Sequence, residues 1–193
     1  MLYLVSGASR SGKTIIANKL FKQRNIPYMS TDWLMMGFAN GVPELGIHDK
    51  LFPEEIAKKI WRFLKAMIES VLFSDVDYVI EGEAILPELV QELLDQYPEK
   101  IRICFIGYTE IDFDEKARDI RVYSDGKDDW LLRESDDYLY DHINNMVPHS
   151  RSIKCACEKY AMAYFDTSTG FMGTIEQAIT YLLSDTAMSD TAK

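Results

Sequence analysis

Gly7-Ala8-Ser9-Arg10-Ser11-Gly12-Lys13-Thr14 follows directly on the apolar run Leu2-Tyr3-Leu4-Val5 and leads into Ile15, Ile16 and Leu20 at helical spacing. The octet reads G-x-x-x-x-G-K-T between a short buried strand and a helix, the context a phosphate-cradling loop requires. Gly7 and Gly12 can take positive φ angles, and neither carries a β-carbon that would keep an anion from the backbone amides. The helix that begins after Gly12 points its free N–H groups and its dipole at the same place. Ala8, Ser9, Arg10 and Ser11 complete the loop, Lys13 is expected at the β- and γ-phosphates, and the Thr14 hydroxyl on Mg²⁺. The expected ligands are ATP and Mg²⁺.

The rest of the chain bounds what such a loop serves. At 193 residues it suits one domain, expected over residues 1–184, with a disordered tail at 185–193. Its formal net charge of -10 argues against nucleic acid or an anionic membrane surface as partner. No stretch reaches the ~20 apolar residues of a membrane span, and the N-terminus enters a strand at once, so a cytoplasmic protein is expected. Cys104 lies in an apolar run and reads as a buried thiol. Cys155 and Cys157, two apart on an expected helix, point about 200° apart and cannot clamp one metal. His48, His142 and His149 lack a metal-ligand pattern.

Strand signals at Leu2 to Ser6, Pro27 to Ser30, Tyr78 to Glu81, Arg102 to Gly107 and Ala161 to Asp166 alternate with helical ones, which predicts a parallel sheet covered on both faces. Helices are expected from Pro53, with a stripe of Ile56, Ile60, Phe63, Met67 and Val71, and from Pro87. Two more should run from about Asp136 to Tyr160, interrupted at Pro148, and from about Thr174 to Leu183. Residues 39–52 carry turn residues and read as a long functional loop. Between Thr109 and Asp141 stand twelve acids and five bases. This polar stretch reads either as a solvated surface or as a lid, about 112–137, that delivers Arg118, Arg121 or Arg133 to a phosphoryl group.

In a sheet of this kind ligands sit outside the carboxyl ends of the strands. Asp32, after the second strand, is placed to take a proton from an attacking hydroxyl, or to cap the helix that begins near Trp33. Glu81 and Glu83, around Gly82 at the third strand end, are candidates for Mg²⁺ or the acceptor, with Glu83 alternatively facing solvent. The glycine between them would let a ligand approach.

The phosphate loop, an aspartate after the second strand, Ile80-Glu81-Gly82, arginines after the fourth strand and Asp166-Thr167-Ser168 after the fifth together resemble the P-loop small-molecule kinases. The likeness is to their nucleoside-monophosphate-kinase-like branch, which includes shikimate kinase, chloramphenicol phosphotransferase and zeta-toxin-type kinases. The resemblance implies a three-layer α/β fold with a five-stranded parallel sheet in the order 2-3-1-4-5 and a lid. It further implies an acceptor-binding role for Asp32, a lid arginine among the three named, and adenine beside Asp166, Thr167 and Ser168. Where shikimate kinase has Asp-x-Asp this chain has Ser30-Thr31-Asp32, so Thr14 with water, Ser30 or Glu81 must serve the metal.

The expected reaction is transfer of the ATP γ-phosphoryl group to a hydroxyl of a small metabolite. A non-catalytic ATP-binding regulatory module and a nucleoside monophosphate kinase are the alternatives, the second disfavoured by the absence of the arginine pattern that grips a nucleotide acceptor. A GTPase is disfavoured because Gly107-Tyr108-Thr109-Glu110 stands where N-K-x-D would be needed. The acceptor and the oligomeric state are left open.

Overall fold

The computed structural model describes residues 1–123 and 130–184. The expected tail at 185–193 and the 124–129 part of the expected lid lie outside the described residues.

Strand β1, Leu2–Gly7, is the centre of the molecule because it has no polar face: all six residues are buried. Its side chains alternate between two cores. Leu2 and Leu4 pack on one side of the sheet with Ile80, Ile103 and Phe105, and Tyr3 and Val5 on the other with Val79, Cys104 and Ile106. β3, Tyr78–Gly82, and β4, Ile101–Gly107, flank it. β2, Tyr28–Ser30, and β5, Tyr164–Asp166, form the edges. All neighbours are parallel in the order β2-β3-β1-β4-β5, as the resemblance implied.

Helices α1, Lys13–Arg24, and α7, Phe171–Leu183, cover one face. The other is covered by α3, Pro53–Phe73, α4, Pro87–Gln96, and α6, Asp136–Lys159. Helix α2, Thr31–Gly41, continues from β2, and α5, Phe113–Tyr123, packs with the N-terminal half of α6 around Tyr108, Ala117, Ile120 and Ile143. No helix among the described residues is long and apolar enough to cross a membrane.

Four sequence expectations are corrected. Residues 39–52 are not one loop: α2 runs to Gly41 and a 3₁₀ turn spans Pro43–Leu45. Pro148 does not interrupt α6. It removes one helical donor, but Pro148 and Asn144, whose carbonyl loses that donor, are both exposed, so water can replace the bond. On α3 the buried stripe is Ala57, Ile60, Leu64, Ile68 and Leu72, while Phe63 is exposed and stacks edge-on with Phe38 at 5.1 Å. α7 starts at Phe171, one turn before Thr174, with Gly170 as its left-handed N-cap.

Cys155 is exposed and Cys157 buried on α6, as their spacing requires. Burial pushes the Cys157 thiol up to about 12 and Cys104 higher still, so both are inert thiols.

Candidate active site

The phosphate loop is shaped by backbone constraints. Gly7 has φ 137°, and a β-carbon there would lie 1.7 Å from the Ile106 carbonyl oxygen on the neighbouring strand. Gly12 has φ 108° and caps α1, which has neither a side-chain cap nor an acid in its first turn. No acid of the helix's own first turn therefore competes for the amides at the start of α1. Arg10 holds a left-handed φ of 58°, a conformation costly for a residue with a side chain.

Three consecutive carbonyls of the loop are each held by a side chain. Lys13 Nζ donates to the Ala8 oxygen at 2.7 Å, the Tyr108 hydroxyl to Ser9 at 3.0 Å, and Lys116 Nζ to Arg10 at 2.9 Å. His142 Nε2 lies 3.1 Å from the Ser9 hydroxyl. Burial first, then Arg10 and Lys13, lowers the His142 pKa, so the ring is neutral at neutral pH. Ser11 Oγ is fully buried with no hydrogen-bond partner among the described residues. Such an atom marks a place where a ligand or water belongs.

Beside the loop stand Asp32 of α2, Glu81 of β3 and Glu83 just after that strand. Ser30, not Asp32, caps α2: its hydroxyl accepts from the Asp32 amide at 3.3 Å. This corrects the capping alternative and leaves the Asp32 carboxylate to open into the cleft. Burial raises the Asp32 pKa, Lys13 pulls it down, and Glu83 pushes it up. Glu81 is paired in register with Ser30 and Val5 and is almost wholly buried. It accepts from the Thr14 hydroxyl at 3.3 Å. Burial moves its pKa up to about 6, helped by Asp32, against Lys13 and the hydrogen bonds from Ser30 and Thr14. Glu83 Oε1 sits 3.5 Å from Lys13 Nζ. Gly82 does not open the strand end to a ligand as expected. A β-carbon there would meet Thr31 Oγ1 at 1.8 Å, so the glycine makes room for the start of α2.

A cleft of about 630 Å³ opens beside the loop. Its walls include Ser9, Arg10, Gly12, Lys13 and Thr14 from the loop region, and Asp32 and Glu83 beside it. Toward α5 and α7 it is bounded by Lys116, Asp119, Tyr123 and Phe171. Arg118, Arg121 and Arg133 do not line it; all three are exposed, and Arg121 pairs with Asp136 at 2.6 Å. The cation that α5 presents is Lys116. Its ammonium lies 4.1 Å from the centre of the Tyr108 ring and 5.0 Å from that of Phe171. Burial lowers its pKa to about 8, with Lys13 adding to the effect and Asp119 opposing it.

Asp166, Thr167 and Ser168 form a staple between the strand ends. Asp166 accepts from the Thr109 hydroxyl at 2.6 Å, Ser168 Oγ from the amides of Thr109 and Glu110 at 3.0 Å each, and Thr167 donates to the Gly107 oxygen. Burial pushes the Asp166 carboxyl up, but hydrogen bonds from Ser168 and Thr109 outweigh it and hold the pKa below its usual value. None of the three lines the cleft, although Thr167 and Ser168 border a small adjoining depression that shares Lys116, Asp119 and Phe171 with it.

Sequence reasoning missed Lys116, His142, Tyr108 and Phe171. One signal was available: Lys116 falls on the same helical stripe as Ala117 and Ile120, the buried face of α5.

No protein-family model and no curated protein sequence matches the chain. Solved structures do. A shikimate kinase from Bacteroides thetaiotaomicron superimposes with a TM-score of 0.55 at 18% identity, covering 95% of this chain and 98% of that one. A gluconokinase from Sinorhizobium meliloti 1021 gives 0.54 at 14% identity, over 93% and 90%. The chain has the fold of these kinases. An uncharacterized protein from Eubacterium ventriosum ATCC 27560 is similar too, with a TM-score of 0.51 at 18% identity over 95% of this chain and 99% of that one. At such identities the likeness extends to the course of the chain, and the chemistry has to be argued from this chain's own side chains.

Proposed function

We propose that this protein is an ATP-dependent kinase that transfers the γ-phosphoryl group to a hydroxyl of a small-molecule metabolite. The observation that carries the reading is the placement of the Asp32 carboxylate in the same cleft as Lys13 and the phosphate loop. A nucleotide-holding module needs the loop; it does not need a carboxylate facing it.

In this reading the α1 amides and Lys13 hold the β- and γ-phosphates, for which Lys13 gives up its bond to the Ala8 carbonyl. Asp32 orients the acceptor hydroxyl and takes its proton as the new oxygen–phosphorus bond forms and the bond to the β-phosphate oxygen breaks, releasing ADP. Lys116 takes the part expected of a lid arginine, because its ammonium already borders the cleft on the Arg10 carbonyl.

Among the described residues no three His, Cys, Asp or Glu side chains converge to hold a metal unaided. That fits Mg²⁺, which is commonly held by one or two protein oxygens with water and phosphate completing its shell. Thr14 and Glu81, 3.3 Å apart, are the two candidates, with Ser30 on the far side of Glu81. The ion would supply charge neutralisation at the phosphates.

Asp166, Thr167 and Ser168 act in this proposal by fixing the wall that meets the nucleoside, while Tyr123 and Phe171, paired at 5.3 Å, supply apolar surface for the base. The test is Lys13→Ala. Acceptor-dependent ADP release should fall roughly 10³-fold; near-normal turnover would refute the mechanism.

A further inference from the structure

We infer that the acceptor alcohol carries a positive charge near its reacting hydroxyl, as an amino-alcohol or aminated sugar does, and is not a carboxylate. The inference rests on the kinase reading of the same cleft. It starts from which charges stand where.

One wall of the cleft, beside Lys13, is built by two segments, α2 with the strand before it and the turn after β3. From Met29 to Asp49 the sequence has no lysine or arginine, and from Gly82 to Glu99 it has none either. Those segments contribute Asp32 and Glu83 to the cleft, with Glu81 buried behind them. The cations that line the cleft lie elsewhere: Arg10 and Lys13 at the phosphate loop, Lys19 and Lys22 on α1, and Lys116 on α5. Arg118, Arg121 and Arg133, the other candidates to hold an anionic acceptor, do not line it.

The cleft is marked as a ligand site independently of these acids. Gly12, Lys13 and Thr14 of the phosphate loop open into it, and the first turn of α1 carries no acid of its own. An anion bound there draws Lys13 away from Glu83, to which it is now 3.5 Å. Asp32 and Glu83 then face the acceptor without the Lys13 ammonium beside them. Two carboxylates repel a third and attract a cation placed between them. Shikimate and gluconate, acceptors named for the two kinases of similar fold, are carboxylates. A carboxylate here would meet two more carboxylates and no free guanidinium on its own wall, whereas an ammonium would restore the balance.

The test compares matched trios: glucosamine, glucose and gluconate, then ethanolamine, ethylene glycol and glycolate. Each is titrated calorimetrically into the full chain loaded with Mg²⁺ and a non-hydrolysable ATP analogue. Within each trio the amine is expected to bind about 10-fold more tightly than the acid, with the neutral alcohol between. In Glu83→Gln the amine's advantage should shrink to about 3-fold or less. An acid that binds as well as its amine, no detectable amine binding in either trio, or an advantage unchanged in Glu83→Gln would overturn the inference. Loading with the ATP analogue separates the two readings. If the analogue fails to bind, the kinase proposal falls; if it binds and the acids are preferred, only the acceptor class is wrong.

Discussion

The two sides of the cleft are made in different ways. The phosphate side is a contiguous octet whose form follows from two positive-φ glycines, a helix N-terminus and a strand neighbour that leaves no space for a β-carbon. The rest of the lining is assembled from separate places: Asp32 and Glu83 come from α2 and the turn after β3, and Lys116 comes from α5. Backbone shape is specified by local sequence, whereas side-chain convergence depends on how helices dock. The phosphate side should therefore fail through its geometry and the other through individual charges.

The sharpest way to break that contrast is Gly7→Ala. With the new β-carbon 1.7 Å from the Ile106 oxygen and φ at 137°, the strand and loop must separate. Chemical denaturation should show a loss of about 4 kcal/mol or complete misfolding. A variant of native stability would mean the loop is not held as described.

Lys116→Met tests the α5 side of the cleft. Burial lowers the Lys116 pKa to about 8, below the free value of 10.5, so the folded state binds its proton less well than the unfolded chain. The cation therefore costs stability at neutral pH, roughly 3 kcal/mol, and that cost disappears as pH rises from 8 toward 10.5. Methionine removes the cost while giving up one hydrogen bond to Arg10. We expect the melting temperature at pH 7 to hold or rise while KM for ATP increases about 10-fold. Arg121→Ala, at a side chain outside the cleft, should change KM by no more than about 2-fold. The reverse ranking would restore the arginine as the functional cation.

Glu81→Gln sharpens the comparison with the smallest effect. The Glu81 pKa is raised to about 6 from 4.5, chiefly by burial, so the carboxylate form is the disfavoured one. Its protonated form is accommodated below pH 4.5, and stability is lost as pH rises through 6. Glutamine cannot ionise, so the variant should be more stable than the wild type by about 2 kcal/mol at pH 8 and equal to it near pH 4.5. A destabilised variant at pH 8 would show that the charge is held favourably.

What was legible in the sequence follows the same division. The loop and the position of Asp32 at a strand end depend on short motifs and on general rules of parallel sheets and were readable from them, while the sheet order was implied by the resemblance to the P-loop small-molecule kinases. The face that α5 turns to the cleft was not readable. Arg118 and Arg121 share a face at a spacing of three, but Lys116, Ala117 and Ile120 form the buried one, so α5 docks with its arginines outward. Pro148 shows the limit of a local rule: Ile143, Val147 and Ile153 are buried to either side of it, and this packing keeps α6 continuous. Gly82 was read as an opening for a ligand because its real neighbour, Thr31, is 51 residues away along the chain.

The central claim is transfer chemistry at Asp32. It is tested most directly by following the radiolabelled γ-phosphate of Mg-ATP into a panel of amino-alcohols, sugars and hydroxy acids, with the wild type and Asp32→Asn side by side. The account predicts label in an acceptor with the wild type and about 100-fold less with the variant. Label transferred equally by Asp32→Asn, or ATP bound with no label entering any acceptor, would contradict it.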